Sequence, residues 1–402
     1  MSTVPSSGTS RNAVLAFGAF GVGTSGYIVA GLLPSLTAEL HVSATAAAQL
    51  VTSFAIAYAI GSPLFAAATG RWERRSLLVA ALVVTGLGNL FAAVAPGYTT
   101  LMIARVVTAV GAAVFTPGAT AVAAELSTPE RRGRAVATVF GGLTVALIFG
   151  VPLGSLISQQ LDYEAAFLLV GVLSLAGAVG IRLVLPKVAP PPAVRLAERF
   201  AVARDKRVVA LLVTTVLACL AAFMVYTLVS QLLAATAGVT GATVTVLLFC
   251  YGIGGAVGNY VGGRVADRWG ARVPILVVLA GITLVLALLP LTTTTVVGAG
   301  VTLFFWGVGT WAFSPPVQHR LIELSPGHAG LALSLNASAI YLGVGLSGVV
   351  GGAVLTSAGP KVLPEIAAVL TAVAFAVMLF FWGARARPVV REERLPADST
   401  AG

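Results

Sequence analysis

From Val14 to Trp382 the chain is a succession of apolar stretches separated by short polar turns. Each has about the 20 residues that a helix needs to cross the hydrocarbon core of a bilayer. Twelve can be counted, among them Val14 to Leu36, Thr99 to Ala124, Ala135 to Ile157, Val208 to Leu232, Thr243 to Gly262, Val296 to Val317 and Ala329 to Val354. Helices of that length close their backbone hydrogen bonds internally, which lipid demands. The expected fold class is an all-α membrane protein with twelve transmembrane helices. Composition agrees, with 9% charged and 58% hydrophobic residues against roughly 25% charged in a soluble domain. The first stretch is long, lacks an A-x-A cleavage site and is followed at once by a second, so it reads as a retained helix.

Charge placement sets the expected orientation. With the N-terminus in the cytoplasm, all of the 24 Lys and Arg fall on the inner side except Lys361, outside, and Arg105, within a span. That bias is the positive-inside rule, and it puts both termini in the cytoplasm. It also accounts for the net charge of +10, which is spread over short inner turns and forms no surface for nucleic acid. Cys219 and Cys250 lie in apolar spans and read as small buried residues. His41, His319 and His328 lie in loops without a second ligand at metal spacing, so neither a metal, a cofactor nor a catalytic constellation is expected.

The longest internal polar interval, Pro186 to Arg207, divides the spans six and six. RWERR at Arg71 matches RWGAR at Arg268, and ELSTPERRGRA at Glu125 matches ELSPGHAGLA at Glu323. Two matches at one offset predict duplicated, pseudo-symmetric six-helix bundles. The expected division is residues 1–185 for the N-terminal bundle, 186–207 for a cytoplasmic linker, 208–383 for the C-terminal bundle and 384–402 for a cytoplasmic tail.

Two short motifs then carry a resemblance. GGRVADRWGAR, Gly262 to Arg272, matches the signature G-x-x-x-D-R-x-G-R/K that joins helices eight and nine in the major facilitator superfamily. GGLTVALIFGVPLGS, Gly141 to Ser155, is similar to the glycine-proline signature of that family's twelve-helix drug/proton antiporters, with the G-V-P-x-G order of exporters of chloramphenicol, arabinose and purine nucleosides. On physical grounds Gly263 permits close helix approach, Asp267 can face the positive N-terminus of a neighbouring helix, and Arg268 and Arg272 lie at headgroup level. With Gly270 these residues imply an inner gating loop, whose counterpart in the first half carries Arg71 and Arg75. That copy has Gly70 in place of the acid and Glu73 in place of the glycine, which leaves Asp267 the stronger latch. In the antiporter helix Pro152 frees a carbonyl, and Gly142, Gly150 and Gly154 allow close packing, with a mechanistic role and a purely packing one both open. LGVGLSGVVGG, Leu342 to Gly352, follows no strand and reads as a helix-packing face, as does the series Gly254, Gly258, Gly262.

Arg105 is the one basic residue deep in a span. It must face water or a ring of carbonyl, hydroxyl and amide acceptors. RVVTAVGAA also resembles the family's fourth-helix signature R-x-x-x-G-x-G, with Ala109 for the first glycine and Gly111 retained, which implies a part in coupling and substrate binding. The alternative is an arginine that clamps the first helix to the fourth. Tyr27, Tyr58, Tyr226, Trp306, Trp311, Asn336 and Tyr341 lie in helices that line the family's central cavity and complete the candidate substrate site, although a single aromatic more often packs at a helix interface.

The resemblance implies a secondary transporter of a bacterial cytoplasmic membrane that exports a small molecule by proton antiport. It is expected to act as a monomer, with protons and membrane lipids as its other partners. No Asp or Glu falls inside a span, so the usual proton carrier is missing and a facilitative carrier is the alternative. A non-transporting sensor, which would carry an appended soluble domain, ranks third. The same absence, with Arg105 present, points to a neutral or weakly anionic amphipathic cargo.

Overall fold

The computed structural model describes residues 8–128, 132–190, 205–325 and 329–382. Part of the linker (191–204), the tail from 383 and parts of the repeated segments (129–131 and 326–328) lie outside the described residues. Among the described residues, twelve helices are long and apolar enough to cross a membrane. In order they are Ser10–Glu39, Ala44–Phe65, Arg74–Ala93, Tyr98–Glu125, Ala135–Gln160, Tyr163–Val184, Lys206–Thr227, Ala242–Trp269, Arg272–Thr292, Val296–Leu324, Ala332–Ala358 and Pro360–Phe381. The end of the molecule that carries the linker is called the linker end, and the opposite one the far end.

Several helices outrun their apolar stretches. The eighth continues past Gly262 to Trp269 and stops at Gly270, whose φ of 71° supplies a left-handed helix stop. The supposed loop between the eighth and ninth helices is therefore mostly helix. The tenth runs on to Leu324, so His319 sits on a helix and not in a loop, its Nε2 3.2 Å from Glu323 Oε1. Apolar content ends where charges begin, but a helix can run on into the headgroup layer while long side chains reach water. Two crossings are broken. The tenth changes helix at Phe313, ahead of Pro315 and Pro316, which carry no N–H to continue the ladder. The seventh ends at Thr227, and Val229–Thr236 is a separate helix, where one span to Leu232 was expected.

The packing has the symmetry of the repeat. The first span packs on the fifth and sixth, the second on the fourth, and the third on the fourth and sixth. In the second half the seventh packs on the eleventh and twelfth, the eighth on the tenth, and the ninth on the tenth and twelfth. The halves meet along two seams, second against eleventh and fifth against eighth, and a two-fold rotation exchanges these. Bare glycines let backbones touch. A Cβ on Gly254, Gly258 or Gly262 would strike the carbonyls of Phe304, Val308 and Ala312. Gly263, the residue expected to allow close approach, faces open space, because one residue along a helix turns the side chain by about 100°.

Candidate substrate site and its gates

Arg105 lies about two turns past Tyr98 and is fully buried. Its Nη1 donates to the Ser25 carbonyl of the first span at 2.8 Å and its Nε to the Leu50 carbonyl of the second at 3.4 Å. The guanidinium stands 4.4 Å above the Phe54 ring, a cation–π contact that offsets part of its desolvation. Nη2 is buried without a partner. Ser25 is itself held, since its hydroxyl donates to Asn89 Oδ1 at 3.1 Å while Asn89 Nδ2 donates to the Thr85 carbonyl at 2.8 Å. The acceptors for Arg105 are thus backbone carbonyls of the first and second spans, where the clamp reading had tied the fourth only to the first.

Two groups of rings cross the seam, one of them beginning at Arg105. Phe54 tilts against Tyr58 and Tyr341, and the last two stack with centroids 3.5 Å apart. Tyr27 meets Phe223 at 5.7 Å and the edge of Trp311 at 6.1 Å. Phe223 contacts Tyr226, Tyr226 contacts Tyr251, and Tyr251 lies 4.7 Å from Trp306. Six of the seven residues named beside Arg105 therefore take part in these two groups, which supply the aromatic wall. Asn336 does not join it, for its amide oxygen accepts from Thr215 at 3.1 Å inside the second half. Phe54, Phe223 and Tyr251 are members that the sequence reading passed over. Their apolar spans give no local signal, and only their helical phase relative to Tyr58 and Tyr226 could have pointed to them.

The far end of both seams is closed. Thr45 Oγ1 donates to the Gly352 carbonyl at 3.3 Å and lies 3.2 Å from Thr356 Oγ1, and Gln49 Nε2 donates to the Gly348 carbonyl at 3.4 Å. On the other seam Ser155 and Gln159 meet the Thr245 hydroxyl at 3.1 Å. In the fifth span the signature glycines Gly142, Gly150 and Gly154 bring Ala16, Thr24 and Ile28 of the first span into contact. A π-helical turn, Ala146–Gly150, comes two residues before Pro152, so the helix is widened there.

At the linker end Asp267 and Arg268 are exposed on the last turn of the eighth helix. Asp267 makes no hydrogen bond or ion pair with a described residue, and no side chain caps the ninth helix, which starts at Arg272. Asp267 therefore does not cap the ninth helix. In the first half Arg71 is exposed, Arg75 Nη1 donates to the Leu185 carbonyl at 3.2 Å, and the acid absent at Gly70 has a counterpart of different use. Glu73 caps the third helix, accepting from the Arg75 and Ser76 amides at 2.8 and 3.0 Å. It also accepts from the Val188 amide at 2.9 Å, while the Arg74 amide donates to the Val188 carbonyl. The start of the linker is thus tied to this turn.

Burial pushes the Glu73 carboxyl up, but the Val188 amide, the Ser76 hydroxyl and the Arg75 and Ser76 amides outweigh it and hold it at about 2. Its stabilisation is present above the ordinary carboxylate range and is lost as pH falls through about 2. Glu73→Gln is expected to lower the unfolding midpoint at neutral pH by the equivalent of about 1 kcal/mol, the usual worth of an N-cap in a solvated setting. Thermal melts at pH 7 and near pH 3 should show the difference shrinking at the lower pH; an equal difference at both would refute the charge-assisted cap.

Twelve crossings in two like bundles, meeting at a buried arginine and a wall of rings, define a membrane carrier. The sequence model of the Major Facilitator Superfamily matches residues 15–326 and 211–399, and the chain belongs to that family. It is 33% identical over 377 residues to the inner membrane transport protein YdhP of Escherichia coli K12, covering 93% of this chain and 96% of YdhP. It is 36% identical over 344 residues to the MFS-type transporter YbcL of Bacillus subtilis, covering 84% and 87%. A chloramphenicol resistance protein of Streptomyces lividans is 32% identical over 267 residues, covering 65% and 67%. The chain is a multi-pass membrane transporter of this family and not an enzyme.

Proposed function

We propose that the protein exports a small neutral or weakly anionic amphipathic compound, a drug or metabolite, across a bacterial cytoplasmic membrane by alternating access and proton antiport. The observation that carries the cargo class is Arg105, buried with Nη2 unpartnered and with no carboxylate of a described residue among the charges that act on it. A cation brought within 4 Å would meet a repulsion of about 4 kcal/mol at an effective dielectric of 20. A carbonyl, nitro or carboxylate oxygen instead meets an idle donor, and the rings accept its apolar body. The basic linker end faces the cytoplasm, and with the far end closed the site is reached from there, the side from which an exporter takes its cargo. The similarity to a chloramphenicol resistance protein supports a phenicol as the first compound to try. Asp267, Arg268, Gly270 and Arg272, with Arg71 and Arg75, latch the linker end in the opposite state. The protein works as a monomer.

A facilitative carrier is the second reading. Glu39, Glu125, Glu164, Asp267, Glu323 and Glu365 all lie near the ends of spans, so among the described residues no carboxylate stands at the depth of Arg105 to carry a proton. One assay separates the readings. Chloramphenicol flux into proteoliposomes is measured with and without an imposed pH gradient, beside ethidium, a nucleoside and a sugar. Gradient-driven chloramphenicol flux supports antiport, and flux indifferent to the gradient supports the facilitative carrier. Ethidium flux alone would overturn the cargo class.

A further inference from the structure

Thr24 and Ser25, on the turn of the first span that receives Arg105, are held by three other spans. Thr24 lies where a Cβ on Gly150 of the fifth would stand, Arg105 Nη1 reaches the Ser25 carbonyl from the fourth, and Asn89 of the third reaches the Ser25 hydroxyl. The last contact departs from its surroundings. A hydroxyl inside a helix commonly bonds back to the carbonyl one turn earlier, and Thr24, Thr85 and Thr108 do so, to Phe20, Ala81 and Ala104. Ser25 instead donates to Asn89 Oδ1, 64 residues away and in another span. Both residues are fully buried. The amide is oriented as well, because the Thr85 carbonyl can only accept; it takes Asn89 Nδ2 at 2.8 Å and so turns Oδ1 toward Ser25. The mount is stiff, for the third and fourth spans touch beside Asn89, where Gly88 lies against Thr108, and one turn earlier, where Gly111 lies against Thr85.

We infer that Asn89 is a positioning residue for transport: by holding Ser25 it fixes the carbonyl that Arg105 Nη1 engages, and through it the direction in which Nη2 points. The guanidinium is a planar, rigid fork. With Nη1 on the Ser25 carbonyl and Nε on the Leu50 carbonyl, Nη2 is left one direction. Without Asn89 the Ser25 hydroxyl returns to the ladder of its own helix, the first span is free to turn about its axis at this depth, and the fork swings with it. A buried polar pair of this kind specifies one arrangement where an apolar pair would only fill the space. The effect on Arg105 follows from the hydrogen bonds alone, and the effect on transport rests on the reading of Arg105 as the cargo's partner.

The test follows the Arg105 Nε–H resonance of the full-length protein, isotopically labelled on arginine and held in detergent micelles, with the signal identified by its loss in Arg105→Lys. In Asn89→Leu and in Ser25→Ala its exchange with solvent is expected to quicken about tenfold, the worth of one hydrogen bond. Thr85→Val, which removes a buried hydroxyl of the third span bonded within its own helix, should leave it as in the parent. In proteoliposomes the KM for chloramphenicol should rise about tenfold in Asn89→Leu with the maximal rate within about twofold of the parent. Asn89→Leu combined with Ser25→Ala should be no worse than either alone, whereas independent losses would multiply and overturn the route through Ser25. A resonance unchanged in Asn89→Leu, or altered equally by Thr85→Val, would overturn the positioning role and leave Asn89 a packing contact. Ser25→Ala, which removes a single oxygen, decides the matter if Asn89→Leu does not fold. An altered resonance with an unchanged KM would overturn the link from Nη2 to the cargo. A parent that does not move chloramphenicol would overturn the cargo reading, while the resonance still decides the role of Asn89.

Discussion

Arg105→Lys is expected to reach the membrane folded and to transport about a hundredfold more slowly than the parent, and Arg105→Ala to behave alike. The guanidinium uses three faces at once: Nη1 on the Ser25 carbonyl, Nε on the Leu50 carbonyl and its plane on Phe54. Nη2 has no partner and is the donor that the proposed function assigns to the cargo. Lysine keeps the charge, but its point-like ammonium cannot hold two helices and still present a donor in a fixed direction. Hydrogen bonds to charged groups are worth about 1.5–3 kcal/mol each, and losing one or two corresponds to a factor of about a hundred. Folding should survive, because the Ser25 and Leu50 carbonyls also belong to the helical ladders of their own spans. Transport in proteoliposomes and size-exclusion profiles of the purified variants check this together. Full transport by Arg105→Lys would mean that charge alone suffices, and misfolding of both variants would favour a clamp that ties the fourth span to the first and second.

The twelve crossings and the two-fold relation were legible in the sequence because both follow from quantities that every residue contributes to, hydropathy over a span and likeness across the repeat. The depth of Arg105 was legible for the same reason, since one charge in an apolar stretch is conspicuous. Its acceptors were not, because they are backbone carbonyls and every residue has one. Rotational phase was the other loss. Gly262 and Gly263 look interchangeable in a string, yet one packs on Ala312 and the other on nothing. Asn336 was placed with Tyr341 because they share a span, and its helical phase turns it to Thr215 instead. Glu73 read as a broken latch because the comparison was made position by position. Its carboxylate does its work on the third helix and on Val188, and Val188 is remote in sequence.

Wedging either seam open at the far end should trap the carrier, and Gly348→Leu is the variant for which we expect the larger effect. Gly348 of the eleventh span lies against Thr52 and the Ala48 carbonyl of the second, and Gly252 of the eighth lies on the backbone of Leu147 and Ile148 within the π-helical turn of the fifth. The two-fold rotation exchanges these seams, so both must close for the far end to shut. A leucine forced into a filled contact costs about 1–3 kcal/mol. With alternating access as proposed, the opposite state lacks that contact, so the penalty falls on one conformation only, and a bias of that size changes the ratio of the two states by roughly fivefold to a hundredfold. Transport by Gly348→Leu should fall in proportion, with Gly252→Leu alike and Gly263→Leu, which projects into open space, close to the parent. A single cysteine introduced at Thr45, where the far end is tied by hydrogen bonds to Gly352 and Thr356, reports the state directly. Its labelling by an impermeant maleimide from the far side should rise in Gly348→Leu and stay low in Gly263→Leu. Unchanged labelling together with unchanged transport would mean that the second and eleventh spans do not separate during the cycle.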